Sequence, residues 1–309
     1  MKKIRKFLSA SAALALLATA PLAAQEPAPA GQPTEAEIAE MINNPLGHLW
    51  MLATQNDTFW MDGDVPGASK VHVNVATIMP IMPMQLTENT KLILRPWIPM
   101  VSTDFPRNSG DLHWSDEIEG NPPATGIKNT SWETGLGDMG FWAAVTSNVG
   151  SQPPYVWGVG ITTQFDTASR DEFGSGHYSA GPMGLAFYIG EKWIAGTILQ
   201  HWWDYAGDDD RKHVNKTNLQ YMVYYRLTAD TKIGMSPNIV YDWESGKYDV
   251  PVGLGVSTLV KFGKLPVVVG GEVEYHTSNN DAIHNQWHFR INLIPILPSP
   301  AWSKKPIFE

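Results

Sequence analysis

The sequence predicts an all-β fold: an antiparallel transmembrane β-barrel of about twelve strands, preceded by a short N-terminal periplasmic helix. Three observations support this prediction. Apolar and polar residues alternate with a two-residue period in strand-length segments, most plainly in 216–243. Long and short connections alternate along the chain, as in barrels with long outside loops and short periplasmic turns. Charged residues occupy the polar face in mid-strand, which suits a barrel lumen better than a sandwich core.

The N-terminus has the three regions of a secretory signal peptide. Four basic residues, at 2, 3, 5 and 6, precede an apolar stretch at 7–20 and a cleavage-type sequence at 22–24. We therefore assign 1–24 to a signal peptide, and the alternative is an ordinary apolar helix. Residues 25–47 form a Pro- and Ala-rich lead and a short helix that begins at a capping box, Thr34–Glu37. Residues 48–309 form the barrel.

Composition excludes several classes of protein. Removal of the four basic residues of the signal peptide changes the formal net charge from −9 to −13, which makes nucleic acid an unfavourable partner. The chain has no cysteine, so it is neither a disulfide scaffold nor a lipoprotein. No apolar stretch after residue 24 is long enough for a transmembrane helix. A soluble periplasmic protein, a secreted protein and an outer-membrane barrel remain.

Twelve strand-like segments follow one another from residue 48. They are 48–58, 70–80, 91–101, 135–147, 155–166, 177–189, 192–204, 217–228, 231–243, 248–262, 265–277 and 285–297. With one exception the odd-numbered connections are long and the even-numbered ones short, so the short turns and both termini lie on the periplasmic side. Two prolines, Pro96 and Pro99, remove hydrogen-bond donors from the third segment, where the boundaries are hardest to define.

The two faces are most distinct in the last strands. In 265–277 the odd positions are apolar, and the even positions include Glu272, Glu274 and His276. Apolar residues of this kind would face lipid and polar ones the lumen. Tryptophans near strand ends are expected to form interfacial girdles, although packing in a soluble core is the alternative. These are Trp50, Trp60, Trp97, Trp193, Trp202, Trp203, Trp243 and Trp287.

Register places charged residues together inside the barrel. A two-residue turn at 263–264, with glycine first as in a type II′ turn, sets Gly255 opposite Glu272 and Gly253 opposite Glu274. An outside loop centred on Asp281 sets Glu272 opposite Arg290 and Glu274 opposite His288. Ser236 is expected at the level of Gly255. This row is either a structural ion-pair network, which we favour, or a contact site for a solute. The lumen candidates are Glu272, Glu274, His288, Arg290, Asn238 and Arg226.

A second group of charges is expected at the outer mouth. A loop at 245–246 would set Asp242 opposite Asp249, an unfavourable pair unless a cation lies nearby. The acidic run Asp208, Asp209 and Asp210 lies in the preceding outside loop. Carboxylate oxygens of this kind suit a hard cation, but a solvated acidic loop explains them better. An odd-length loop at 229–231 sets Asn218 opposite Asp242 and places Arg226 near the periplasmic end.

The sequence contains no recognisable catalytic constellation. It lacks a nucleophile elbow, a zinc-protease helix motif and a phosphate-binding loop. His276 and His288 are expected to point inward, away from the outer wall on which some barrel lipid hydrolases carry their Ser and His. We therefore expect no enzyme activity and no cofactor, and no metal is assigned.

Several spaced motifs resemble a known family. They are NPLGHLWML (44–52), LILRPWIPMV (92–101), GLGDMGFWA (135–143), AGDDDRKHVNKTNLQ (206–220) and YDWESGKYDVPVGLGVS (241–257). They resemble the bacterial outer-membrane β-barrel family labelled neuromedin U-like, which is related to channel proteins of the phenol meta-cleavage pathway. The resemblance runs from about Glu35 to Leu297. It implies a transporter or channel for aromatic or other small apolar compounds. The tail 299–309 departs from barrels that finish at a terminal aromatic.

These observations together predict an outer-membrane channel that passively admits a small solute through a narrow polar lumen. The loop 102–134 or the N-terminal helix is the expected gate or plug. The expected partners are outer-membrane lipid, the solute and the barrel-assembly machinery, and the oligomeric state is left open. The alternatives are a structural barrel that binds ions or a surface partner without transport and, more weakly, a barrel lipid hydrolase.

Overall fold

The computed structural model describes residues 49–65, 67–104, 132–147, 154–263, 265–280, 282–297 and 299–308. The predicted signal peptide, lead and helix lie outside these residues, as does 105–131 of the expected gate loop. The strands are β1 (Trp50–Asp62), β2 (His72–Gln85), β3 (Thr90–Thr103), β4 (Glu133–Leu136), β5 (Gly140–Ser147), β6 (Tyr155–Gln164), β7 (His177–Ile189), β8 (Trp193–Gly207), β9 (Asn215–Arg226), β10 (Thr231–Met235), β11 (Asn238–Asp242), β12 (Lys247–Phe262), β13 (Leu265–Ser278) and β14 (His284–Leu297). Short 3-10 turns occupy Ala68–Lys70, Asp171–Phe173 and Ala301–Lys304. Within the described ranges no helix is both long and apolar enough to cross a membrane.

The strands form a closed antiparallel barrel. Successive strands pair with one another, and β14 closes the sheet by pairing with β1, for example Asp57 with Arg290. The segments β4 and β5 are two parts of one strand interrupted at 137–139, and β10 and β11 are two parts of another interrupted at 236–237. Counting each as one strand confirms the predicted twelve-stranded antiparallel barrel. Closure leaves no free sheet edge, so neighbouring strands satisfy the backbone hydrogen bonds.

The outer surface of the barrel is apolar. Outward residues of β6 and β12 are exposed, Val159 at 61% and Leu254 at 62%, and they alternate with residues that point inward. Aromatic residues contact each other towards the strand ends, the exposed Trp193 with the half-buried Tyr225 at one end of the barrel and Trp287 with Tyr275, both exposed, at the other. An exposed apolar band between aromatic girdles is the surface that a transmembrane barrel presents to lipid.

Three of the predicted girdle tryptophans do not fit this pattern. Trp97 packs against the apolar cluster inside the barrel, and Trp202 is half-buried on the inward-facing parity of β8. Trp50 is half-buried beneath the tail, with its ring centroid 5.8 Å from that of Trp302. For Trp97 and Trp202 the reason is parity: within a strand, a position one residue away from an outward one points to the lumen. Trp50 shares the outward parity of Trp60, and the tail covers it.

The proline-rich region between β2 and β3 is paired less completely than the rest. The two strands pair at Ile78 with Ile98 and again at Met82 with Leu94, but not at the three positions between, which include Pro80 and Pro96. Proline has no N–H to donate, so the ladder is interrupted where two prolines approach each other. Even so, β3 is one continuous strand, as the sequence predicted.

The outside loops form a compact apolar core of their own. Val65 and Val71 from the first loop pack with Phe173 from the loop after β6 and with Ile283 from the last loop. The carboxylate of Asp138, at the break between β4 and β5, accepts hydrogen bonds from the backbone N–H groups of 167, 168 and 175. The loop after β6 is therefore tied to the barrel rim by one buried acid.

The C-terminal tail folds back onto the short-turn end of the barrel. The N–H groups of Ile307 and Phe308 donate to the carbonyl of Leu86, at 3.1 Å and 2.9 Å, in the turn between β2 and β3. The backbone N–H of Trp50 donates to Ser299 Oγ at 3.2 Å. The segment that departs from the expected barrel ending is thus hydrogen-bonded beside the first turn.

The outward face of β12 gives a test of lipid contact. Leu254→Arg, at mid-strand, should lower the free energy of unfolding by about 2–4 kcal/mol, whereas Tyr248→Arg near the strand end should cost about 0–1 kcal/mol. The measurement is urea-dependent unfolding of the protein folded into lipid vesicles. Equal costs at the two depths would contradict a membrane-spanning orientation of β12.

Candidate functional site

A layer of charged side chains crosses the inside of the barrel at mid-height. It consists of Asp57 on β1, Glu272 and Glu274 on β13, and His288 and Arg290 on β14, and none of the five is more than 5% exposed. Strand alternation points them inward, since their neighbours Val273 and Trp287 are exposed on the outer surface. Four of the five are lumen candidates from the sequence. Asp57 is the member that sequence reasoning missed.

Arg290 holds this charged layer together. Its Nε lies 2.8 Å from Asp57 Oδ1, and its Nη1 lies 3.1 Å from Glu274 Oε1 and 3.8 Å from Glu272 Oε2. Nη1 also donates to the backbone carbonyl of Ser236 at 3.2 Å. One guanidinium thus contacts three carboxylates from two strands, which is the planar, multidentate binding that arginine provides and lysine does not.

His288 bridges two of the same carboxylates. Its Nδ1 lies 3.0 Å from Glu274 Oε2, and its Nε2 lies 2.6 Å from Asp57 Oδ1. The ring of Phe59 stacks on the imidazole, with centroids 4.2 Å apart and planes at 17°. The orientation of the imidazole is therefore set by two hydrogen bonds and one aromatic face.

Glu272 is anchored at the break between β10 and β11. Its two carboxylate oxygens accept hydrogen bonds from Ser236, one from the backbone N–H at 2.6 Å and one from Oγ at 3.0 Å. Ser236 is followed by Pro237, which cannot donate to the ladder. In a continuous strand the backbone N–H of Ser236 would donate to the neighbouring strand. Because the strand is interrupted, this N–H donates to Glu272 instead.

The predicted register of these strands is confirmed. Glu272 lies opposite Arg290 and Glu274 opposite His288, while Gly255 and Gly253 lie opposite the two glutamates. Phe262 pairs with Leu265, which places a two-residue turn between them, and Gly263 has a φ of +62°, as a glycine at the first central position requires. A Cβ added at Gly253 would lie 2.7 Å from Glu274 Cγ, so the glycine makes room for the glutamate against the wall.

The opposite wall of the interior is apolar, contrary to the expectation of a uniformly polar lumen. Inward-facing residues of β3 and β5–β8 pack into one cluster: Ile93, Trp142, Ala144, Val156, Met183, Leu185, Phe187 and Ile198. Arg95 lies beside this cluster, with its guanidinium carbon 6.0 Å from the Trp142 ring. The alternation rule correctly identified polar positions in the last strands, but in β5–β8 both faces are apolar, so the pattern there did not separate lumen from lipid.

Two of the predicted lumen residues lie away from the charged layer. Arg226 is near the short-turn end, where its Nη1 donates to the carbonyl of Glu191 at 3.1 Å, and this placement agrees with the sequence prediction. Asn238 is half-buried opposite Gln220 on β9. Ser236, expected at the level of Gly255, is displaced by two residues, since Gly234 pairs with Gly255.

The predicted pairing of Asp242 with Asp249 is wrong. Asp242 lies opposite Lys247 and opposite Lys216, not Asn218, and its Oδ2 lies 2.9 Å from Lys212 Nζ. The cause is turn length: the loop after β11 has four residues, 243–246, with Gly246 at a φ of +70°. The loop after β9 is also centred one residue earlier than predicted, so its partners shift by two.

Two of the remaining mouth acids, Asp249 and Asp208, each have a hydrogen-bond partner of their own within the described part of the chain. Asp249 lies 2.9 Å from His276 Nδ1. Asp208 accepts a hydrogen bond from the backbone N–H of Asp210 in an exposed turn. The like-charge pair of Asp242 and Asp249, which suggested a cation site at the mouth, is therefore not formed. The other candidates for that site, Asp208, Asp209 and Asp210, are exposed to solvent.

One titrating pair lies at the mouth. His213, in the loop between β8 and β9, has its Nδ1 2.7 Å from Asp204 Oδ2. The hydrogen bond with Asp204 raises the pKa of His213 above its usual value. The charged pair therefore forms at low pH and is lost as the pH rises through the raised pKa.

Comparison with known proteins supports the fold. No family model matches the sequence and no curated protein matches it, so the family indicated by its motifs stays a prediction. Among solved structures, an outer membrane channel from Pseudomonas putida F1 is similar with a TM-score of 0.60 and 12% identity, covering 81% of this chain and 94% of that one. A FadL homologue from Pseudomonas aeruginosa gives a TM-score of 0.37 at 8% identity, covering 81% and 89%. At such identities the likeness concerns the fold alone.

The charged layer gives a test of its structural role. Arg290→Met should lower the free energy of unfolding by about 3–5 kcal/mol, because it leaves buried carboxylates without their cation. Adding Asp57→Asn should restore part of this loss. The measurement is denaturant-induced unfolding followed by tryptophan fluorescence, with Lys304→Met in the exposed tail as the control. A cost for Arg290→Met no larger than that of the control would refute this role.

Proposed function

We propose that this protein is an outer-membrane channel that passively admits small, largely apolar solutes, aromatic compounds included. The observation that carries the proposal is the division of the closed barrel's interior into two unlike walls. An apolar wall is formed by β3 and β5–β8, and a charged layer lies on β1, β13 and β14. A solute with an apolar body and one polar group finds complementary contacts on both.

The charged layer also sets the width of the path. Because its five members are almost fully buried, side chains occupy the interior at this level, as expected for a barrel smaller than the open porins. A solute would pass between the apolar wall and the side chains of Arg290 and Glu272. The unpaired positions of the β2–β3 ladder adjoin the apolar wall. The path is therefore narrow and selective, not a wide aqueous pore.

The proposed cellular location rests on the outer surface of the barrel. The exposed apolar band with aromatic residues at both ends fits a bilayer, and we propose the outer membrane of a Gram-negative cell as its place. Residues 1–24 would direct export and be removed, and the barrel-assembly machinery would insert the mature chain. The similar channel from Pseudomonas putida F1 is described as an outer membrane channel, which is consistent with this proposal.

The second candidate is a structural barrel without transport. The observation that favours it is the compact loop core formed by Val65, Val71, Phe173 and Ile283 at the outer end. If this core is permanent, it blocks entry from outside. Flux measurements separate the two candidates, because a structural barrel carries no solute at any concentration.

Solute flux is the direct test. Liposomes containing the protein should swell faster in phenylalanine than in glutamine, two amino acids of similar size that differ in the apolarity of the side chain. The expected difference should diminish in Phe187→Asn, which adds a polar group to the apolar wall. Protein-free liposomes and heat-modifiable migration of each variant on gels are the controls. Absence of flux for both solutes would favour the structural barrel.

Ion conduction tests the charged layer. The protein in planar bilayers should show discrete conductance with cation preference, because Asp57, Glu272 and Glu274 outnumber the cationic side chains near them. Glu272→Gln should shift the reversal potential in a salt gradient towards lower cation preference, and Arg290→Gln should shift it the other way. Glu191→Gln, at the short-turn end, is the matched control. Identical selectivity in all four proteins would show that ions do not pass this layer.

A further inference from the structure

Two members of the charged layer, Glu274 and His288, form a cluster with His276, which lies on the mouth side of that layer. Glu274 and His276 lie on β13 and His288 on β14, and one potential ligand atom of each lies within 4.8 Å of the others. All three are buried, with exposures of 1%, 6% and 1%. Two imidazoles and one carboxylate are the ligand set of open zinc sites with three protein ligands.

From this arrangement we infer that Glu274, His276 and His288 bind a divalent transition-metal ion of the zinc class inside the barrel. Binding of this ion does not depend on solute transport.

His276 presents a bare nitrogen to the centre of the cluster. Its Nδ1 lies 2.9 Å and 3.0 Å from the two carboxylate oxygens of Asp249, so in the neutral imidazole Nδ1 carries the proton and Nε2 the lone pair. Among the described residues Nε2 has no hydrogen-bond partner although it is buried. Its nearest carboxylate oxygen is Glu274 Oε2 at 3.8 Å. A buried acceptor that no donor satisfies costs free energy, and a metal ion removes that cost.

The ring of His288, like that of His276, is oriented by a hydrogen bond to a carboxylate. Its Nε2 lies 2.6 Å from Asp57 Oδ1 and its Nδ1 3.0 Å from Glu274 Oε2. When Nε2 donates to Asp57, Nδ1 is free to bind a metal. Both histidines therefore have a carboxylate behind the ring, which is the arrangement that fixes the tautomer of metal-binding histidines and raises their basicity.

The ligand spacing fits a small ion. Tetrahedral zinc with bonds of about 2.0–2.1 Å holds its ligand atoms about 3.3 Å apart. The two separations from Glu274 Oε2, 3.0 Å to His288 Nδ1 and 3.8 Å to His276 Nε2, lie on either side of that value. The other oxygen, Oε1, is held by Arg290 at 3.1 Å, so Oε2 is the one left for the ion. Phe59 stacks on His288 and meets the edge of His276, which limits movement of both rings.

The charge around the cluster favours a cation. Asp57, Asp249, Glu272 and Glu274 contribute four carboxylates, and the guanidinium of Arg290 contacts three of them, those of Asp57, Glu272 and Glu274. With neutral histidines the group is strongly negative, and a divalent ion offsets most of that charge. Asp249 is 21% exposed and lies on the mouth side of His276, which gives an ion a route from outside.

Titration with Co²⁺ and Zn²⁺ tests the site. The full-length protein in detergent, stripped with a chelator, should bind one equivalent of Co²⁺ with a visible ligand-field spectrum, and Zn²⁺ should displace it. His276→Gln should abolish the spectrum. Asp249→Asn should weaken binding by about 10–100-fold, the usual effect of removing a carboxylate behind a metal-binding histidine. His201→Gln, a histidine on the outward face of β8 beside Trp203 and outside the cluster, should bind as the wild type does.

Two results would overturn the inference. One is no saturable binding of Co²⁺ or Zn²⁺ to the wild type, which would leave His288 as a hydrogen-bonded bridge between Glu274 and Asp57. The other is one equivalent that persists in His276→Gln, which would place the ion elsewhere. Heat-modifiable migration establishes that each variant is folded. If His276→Gln does not fold, X-ray absorption of the zinc-loaded wild type decides, since it should show two imidazole ligands.

Discussion

Closure of the sheet is the constraint from which the rest of this structure follows. In a bilayer no water is available for an unpaired backbone edge, so β1 must pair with β14. That pairing brings Asp57, near the start of the chain, against Arg290 near its end. The guanidinium of Arg290 contacts Glu272 and Glu274 on β13, and the carboxylate of Asp57 on β1 is thereby the third that it contacts.

The arrangement of the charged layer depends on the burial of its side chains as much as on the attraction between opposite charges. Strand alternation points every second residue into a narrow interior, where an unpaired charge is costly and each group must find partners. Glycines on β12 leave room for the glutamates, and the break at Ser236 supplies two donors to Glu272. In the proposed channel, functional and structural demands would coincide here, because the side chains that balance each other's charge would also determine which solutes pass beside them.

Both candidate functions make use of the two walls of the interior. The apolar cluster around Trp142 and Phe187 stabilises the barrel and also offers a surface to an apolar solute. The loop core around Phe173 packs three outside loops against one another. A barrel of this size has few interior positions, so in the proposed channel the same residues would serve packing and passage.

The sequence by itself determined the barrel, its twelve strands and the pairing of Gly255 with Glu272 and Gly253 with Glu274, because the two-residue period and a two-residue turn leave one register. The pairing of Glu272 with Arg290 and Glu274 with His288 was predicted by centring the last outside loop on Asp281. The sequence did not determine the partners of Asp242, since a four-residue turn and a two-residue turn are equally compatible with Ser245 and Gly246. Nor did it separate lumen from lipid in β5–β8, where both faces are apolar. Only the tertiary structure placed Asp57 beside Arg290 and His276 beside His288, because those contacts depend on closing the sheet and on side-chain packing across strands.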